Sequence, residues 1–102
     1  EQLKPVYDLS DDAERMLIEA SMDKRGVVLM VRTMHGLTVQ TNGKQLCERQ
    51  DARSEATWQA AIRELLSNGL IENRGHKGEV FGVTAEGYRL ADELRSLETA
   101  RP

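Results

Sequence analysis

Two arginines ten residues apart, Arg53 and Arg63, enclose the small residues Ala56 and Ala60 and are followed by Ser67. On an α-helix these five fall on one side. Guanidinium groups there suit phosphate oxygens or guanine edges, and small residues between them let a helix backbone approach a groove closely. The competing account is a solvated face in which alanine is simply a good helix former. Glu55 and Glu64 belong to the same segment and are expected to repel phosphate. A second cluster, Arg74, His76 and Lys77, sits in the loop Arg74 to Glu79 with two glycines, where Glu79 partly cancels it. It suits either backbone phosphates or plain solubility. Arg49, with Lys44 nearby, precedes the helical segment, where helix N–H groups already favour anions; ordinary surface charge explains it as well.

Catalytic or metal-binding patterns are missing from the chain. There is no Gly-x-Ser-x-Gly, no phosphate-cradling P-loop and no Gly-x-Gly-x-x-Gly. His35, His76 and Cys47 are far apart, without the spacing of a zinc site. Asp11, Asp12, Glu14 and Glu19 cap and solvate a helix more economically than they would hold a cation. The expectation is therefore a chain that is not an enzyme, with no cofactor, no metal and no small-molecule substrate. Trp58 and Tyr88 are expected as core anchors.

The 102 residues suit one domain with one modest core. Hydrophobic content of 39% and charged content of 30% read as an ordinary water-soluble globular chain. The formal net charge is −3, with residues 26–83 close to neutral and both flanks mildly acidic. A dedicated nucleic-acid binder usually carries a basic excess, so strong non-specific DNA affinity is not expected. The longest apolar run, Val27 to Val31, is too short to span a bilayer, and the start, Glu1-Gln2-Leu3-Lys4, does not read as a secretory signal. The lone Cys47 fits a reducing, cytoplasmic setting. Because the sequence opens on Glu, a module taken from a longer protein is expected.

The elements that must position these residues follow from periodicity. Residues 1–9 read as an extended lead-in. A first helix is expected from about Ser10 to Met22, capped by Ser10 or Asp11, with Ala13, Met16, Leu17 and Ala20 as its buried stripe and Leu9 packing back on it. Val27 to Thr33 and Leu37 to Thr41 read as a β-hairpin around Met34-His35-Gly36. With Val28, Met30 or their alternates outward, it would serve for edge-to-edge pairing with another chain. Asn42-Gly43 signals a turn, and Lys44 to Gln50 is either a short helical turn or an irregular link. A second helix is expected over about Ala52 to Asn68, capped by Asp51 or Ser54, with Trp58, Ala61, Ile62, Leu65 and Leu66 inward and Gly69 ending it. Leu70 to Asn73 and Val80 to Val83 read as a second hairpin. A final helix starts at Thr84 and buries Tyr88, Ala91, Leu94 and Leu97, with Leu90 flanking. Residues 10–98 form the domain and 99–102 a frayed tail.

The run Trp58-Gln59-Ala60-Ala61-Ile62-Arg63-Glu64-Leu65-Leu66-Ser67-Asn68-Gly69-Leu70-Ile71, continued by Gly82-Val83-Thr84-Ala85-Glu86-Gly87-Tyr88, resembles the recognition helix, wing and final helix of bacterial winged-helix domains, including MarR-like regulators. The resemblance covers about residues 54–94. It implies an α+β, winged-helix-like fold in the order helix, β-hairpin, short turn, helix, β-hairpin (the wing), helix. It also implies duplex DNA as partner and a role in transcription regulation, with Arg49, Arg53, Arg63, Ser67, Arg74, His76 and Lys77 as candidate contacts. DNA-binding members place a full helix just before the recognition helix; here that slot is Gly43 to Gln50. The alternative is an accessory module of a larger bacterial protein that binds another protein or a second copy of itself, without DNA.

Overall fold

The computed structural model describes residues 9–34, 36–47, 51–75 and 80–100, with residues 98–100 by backbone alone. The elements are α1 (Asp11–Met22), β1 (Val27–Thr33), β2 (Gly36–Thr41), β3 (Lys44–Gln45), α2 (Ala52–Ser67), β4 (Ile71–Asn73), β5 (Val80–Val83) and α3 (Ala85–Ala100). The strands make one antiparallel sheet in the order β3-β2-β1-β5-β4. The fold class is α+β, as the sequence reading expected. The lead-in up to Asp8, the turn residue His35 and the tail residues Arg101 and Pro102 lie outside the described residues.

The slot between the first hairpin and the second helix departs from expectation. Asn42 and Gly43 both take positive φ, 54° and 73°. Two consecutive residues in that region make the tight turn that matches strand twist, which Asn-Gly favours. The chain folds straight back, so that Lys44 pairs with Thr41 and Gln45 with Gln40. Leu46 and Cys47 then turn into the core. The expected short turn or irregular link is a third strand at its start, and Glu48 to Gln50 lie outside the described residues.

Helix ends follow local chemistry closely. The Ser10 hydroxyl accepts the Ala13 N–H at 3.2 Å and starts α1. Asp51, rather than Ser54, caps α2 by accepting the Arg53 and Ser54 N–H groups at 3.1 and 3.4 Å. At the other end Gly69 has φ 73°, its N–H bonds the Leu66 carbonyl, and Leu70 N–H reaches the Leu65 carbonyl at 2.9 Å. These are the two bonds of a Schellman stop. The Thr84 hydroxyl accepts the Gly87 N–H and opens α3.

All three helices lie on one side of the sheet. Val28, Leu37, Val39, Ile71, Phe81 and Val83 face them and are buried with Met16, Leu17, Trp58, Ile62, Leu65 and Leu70. The alternate residues Val27, Leu29, Val31 and Val80 point to the other side, which no described helix covers. The expected inward face of α3 is corrected. Leu90, Ala91 and Leu94 are buried, whereas Tyr88 and Leu97 are exposed. Leu66 of α2, also expected inward, is exposed as well. Gly87 takes the place expected for Tyr88 because α3 crosses the chain at Leu70 with no room to spare. A Cβ on Gly87 would stand 2.1 Å from the Leu70 carbonyl oxygen. Two bonds fix that crossing, Thr84 N–H to the Leu70 carbonyl at 3.0 Å and Thr84 Oγ1 to the Gly69 carbonyl at 2.7 Å.

One carboxylate ties α1 to the sheet. Asp23 accepts the N–H groups of Arg25, Val27 and Asn42 at 3.0–3.2 Å, joining the helix end, the start of β1 and the β2–β3 turn. Burial pushes its carboxyl up, but the backbone N–H groups of Val27, Arg25, Asn42 and Gly26 outweigh burial and hold it below its ordinary value. One turn earlier, Glu19 accepts from the Asn42 amide at 3.0 Å and the Lys44 ammonium at 3.1 Å. The Asn42 bond leads in lowering its pKa, against burial, and Lys44 adds to it.

Both groups are depressed in the folded state. Their contribution is complete above the ordinary values of 3.8 and 4.5 and fades as pH falls through the lower folded values. Denaturant midpoints should therefore be level above about pH 5 and drop below it, and Asp23→Asn should flatten that acid limb while lowering stability at pH 7. Gly87→Ala should destabilise by about 1–3 kcal/mol in urea unfolding, because overpacking against a carbonyl outweighs the roughly 1 kcal/mol that alanine offers a helix.

Candidate nucleic-acid interface

Arg53, Ala56, Arg63 and Ser67 stand exposed on α2, with Ala60 half-buried among them, on the side of the helix opposite Trp58. The rise of a helix separates Arg53 from Arg63 by about 15 Å along the axis. The structure thus brings three of the seven candidate residues onto one face. Arg49, His76 and Lys77 lie outside the described residues, as does Glu79.

Arg74 is placed elsewhere. Its Nε donates to Glu72 at 3.1 Å and its Nη2 to the Val83 carbonyl at 3.3 Å. The guanidinium lies flat over Gly82, where an added Cβ would come within 2.2–2.4 Å of it. Gly82 pairs with Val27 and Glu72, on the side of the sheet away from the helices. Arg74 and α2 therefore flank opposite faces of the sheet, and Arg74 is already engaged with Glu72.

The two glutamates of α2 hold the electrostatic surprise. The sequence reading set them against an anionic partner. In the structure each serves a backbone N–H elsewhere in the chain. Glu55 Oε2 accepts the Leu37 N–H at 3.1 Å, and its other oxygen lies 3.7 Å from Arg32. Glu64 Oε1 accepts the Ser10 N–H at 2.8 Å. No local signal in the sequence announces these bonds, because they join residues 18 and 54 positions apart. The result is a helix whose outward charges are Arg53 and Arg63.

Glu55 has a second effect. The outer edge of β2 would offer its N–H groups to another strand. Glu55 takes the Leu37 N–H, and the Val39 carbonyl accepts from Leu46 N–H at 2.8 Å. Among the described residues, these two groups of β2 are thus engaged within the chain. Of the hairpin residues considered for edge-to-edge pairing, Val28 is buried, Met30 is packed against the core, and Leu29 and Val31 are the outward pair.

A shallow open depression at the start of α2 is lined by Asp51, Arg53, Ser54, Thr57 and Trp58. It has no convergent pair of acid and base. Among the described residues no three His, Cys, Asp or Glu side chains are grouped to hold a metal ion. None of the described helices is long and apolar enough to cross a membrane. Compared with protein-family models, curated proteins and solved structures, the chain matches none of them.

Glu55→Gln keeps the amide-to-backbone bond possible and removes the charge; Glu55→Ala removes both. Leaving the Leu37 N–H without its acceptor should cost about 1–3 kcal/mol. Thermal or urea unfolding should place Glu55→Ala well below the parent and Glu55→Gln between them.

Proposed function

We propose that this chain is a non-catalytic binding module of winged-helix type, acting in the cytoplasm, whose ligand is duplex DNA. The observation that carries the reading is the division of charge on α2. Its glutamates serve the Leu37 and Ser10 N–H groups, and its arginines face outward with alanine between them. Such a face meets the requirement for close approach to a groove, with guanidinium groups for phosphates or guanine edges. The winged-helix order is supported by the succession of α2, the β4–β5 hairpin and α3, with the returning strand β5 paired to β1. In this reading the 74–79 loop is the wing, and the module serves transcription regulation or a larger bacterial protein.

A second reading, a protein-interaction module, is favoured by two observations. On the helix-free side of the sheet Leu29 and Val31 are 38% and 39% exposed. The short β3 in place of a helix before α2 also removes the element that crosses the backbone in helix-turn-helix docking.

Fluorescence anisotropy of a labelled random duplex separates the two. The DNA reading expects binding in the micromolar range that weakens steeply as salt rises. Arg53→Glu with Arg63→Glu should lower the affinity at least about tenfold, and the paired alanine substitutions should reduce the salt slope by about 2. Absence of binding by the parent even at low salt would sink the DNA reading and leave the sheet face as the lead.

A further inference from the structure

The chain holds two Asn-Gly steps, Asn42-Gly43 and Asn68-Gly69. An asparagine before glycine is prone to lose its side-chain amide, because a glycine without Cβ leaves its backbone nitrogen free to reach the asparagine Cγ. That nitrogen must first give up its proton, so a hydrogen-bonded N–H is protected until the bond opens. The structure treats the two steps differently. Both asparagines are half-buried and both donate their side-chain amide, Asn42 to Glu19 at 3.0 Å and Asn68 to the Glu64 carbonyl at 2.8 Å. The glycines separate them. Gly69 N–H donates to the Leu66 carbonyl at 3.1 Å, inside the stop that ends α2. Gly43 N–H has no acceptor among the described residues. A Cβ built on Gly43 would meet nothing within 4 Å, so the turn has room at that point.

We propose that Asn42 is a site of spontaneous deamidation, a modification that replaces a hydrogen bond between α1 and the β2–β3 turn with two facing carboxylates, while Asn68 is spared. The inference does not depend on what the module binds. Gly43 N loses its proton to water and bonds to Asn42 Cγ. The Cγ–Nδ2 bond breaks, and that nitrogen leaves as ammonia. Water then opens the five-membered ring, at Cγ to give aspartate or at the main-chain carbonyl to give isoaspartate. Water is consumed and ammonia released, with no change of oxidation state.

What the product meets is particular to this fold. An ionised aspartate has no N–H to offer Glu19, so it sets a second carboxylate where the amide stood, and like charges at that range repel. Asp23 is a third acid at the same junction, bonded to the Asn42 N–H at 3.1 Å. Lys44, on Glu19 at 3.1 Å, offsets part of this charge. Isoaspartate does more. It adds a methylene carbon to the main chain inside a two-residue turn, which displaces Lys44 from its register with Thr41. Either product loosens the junction that joins the end of α1, the start of β1 and β3.

The test ages the parent chain in mildly alkaline buffer, folded and in urea, and follows both asparagines by peptide mass mapping. In the folded chain Asn42 should convert at least about threefold faster than Asn68, the factor that the net strength of one hydrogen bond supplies. In urea the two rates should converge. Asn42→Asp should lower the urea midpoint of unfolding. Adding Glu19→Gln to that variant swaps amide and acid across the same contact and should recover part of the loss. Equal rates in the folded chain, or a faster Asn68, overturn the proposal. So does an Asn42→Asp midpoint equal to the parent's, or a Glu19→Gln combination that recovers nothing. If Asn42→Asp does not fold, the aged parent decides, through the ratio of the two sites and through loss of folded signal in step with conversion at Asn42.

Discussion

The whole sheet is joined through β1. Its first half pairs with β5 and its second half with β2, and Leu29 is the residue common to both registers. A two-stranded hairpin is marginal in water, and the described strands are a three-stranded meander, β1 to β3, and one hairpin, β4–β5. Joined through β1 they become one five-stranded sheet with a single covered face. The stagger leaves the Val27 carbonyl short of a strand partner on the β2 side, and the Thr41 hydroxyl supplies the bond at 2.7 Å. That explains why a threonine is buried in an otherwise apolar layer.

The turn at Asn42-Gly43 decides what surrounds α2. Folding straight back at that point uses the chain in a short strand, and Leu46 and Cys47 then fill the core beneath it. The described chain leaves no helix in that slot, so α2 is flanked by the start of α1, through Glu64 and Ser10, and by the hairpin, through Glu55 and Leu37. Its outer side stays open to solvent. In a helix-turn-helix the preceding helix crosses the nucleic-acid backbone and sets the approach. On the proposed DNA reading, a structure without it orients a duplex by other parts.

Most of the fold is legible in the sequence because its signals are local. Ser10, Asp51, Thr84 and Gly69 announce helix ends through bonds within a few residues, and apolar periodicity marks α1 and α2. The third strand is the instructive miss. Asn-Gly is among the strongest hairpin signals, but Lys44 and Gln45 carry no alternation that would mark a strand of only two residues. The inward face of α3 is a miss of a different kind. Periodicity places Tyr88 and Gly87 near one another, and only the close crossing at Leu70 gives the inner place to glycine. Of the candidate contacts, Arg53, Arg63 and Ser67 come together as helical spacing requires. Arg74 does not join them, because Gly82 offers its guanidinium a flat resting place that no pattern within its own loop reveals.

Net charge is a poor guide to what this surface binds. A chain with formal charge −3 looks unsuited to a polyanion. Several of its acids, however, are spent on internal work. Asp23, Glu55, Glu64 and Asp51 accept backbone N–H groups, and Glu19 holds the Asn42 and Lys44 side chains. A carboxylate bound to N–H dipoles or a cation projects less field than a free one, and what a partner meets within a Debye length of about 8–10 Å is the local arrangement. On α2 that arrangement is arginine outward and glutamate toward the fold. The argument has a boundary, because Asp11 and Asp12 open α1 next to Glu64 and lie along one flank of the helix. A phosphate backbone approaching from that side would be repelled. On the proposed DNA reading the favourable approach is from the opposite flank, where Glu55 holds the Leu37 N–H and Arg32 against α2.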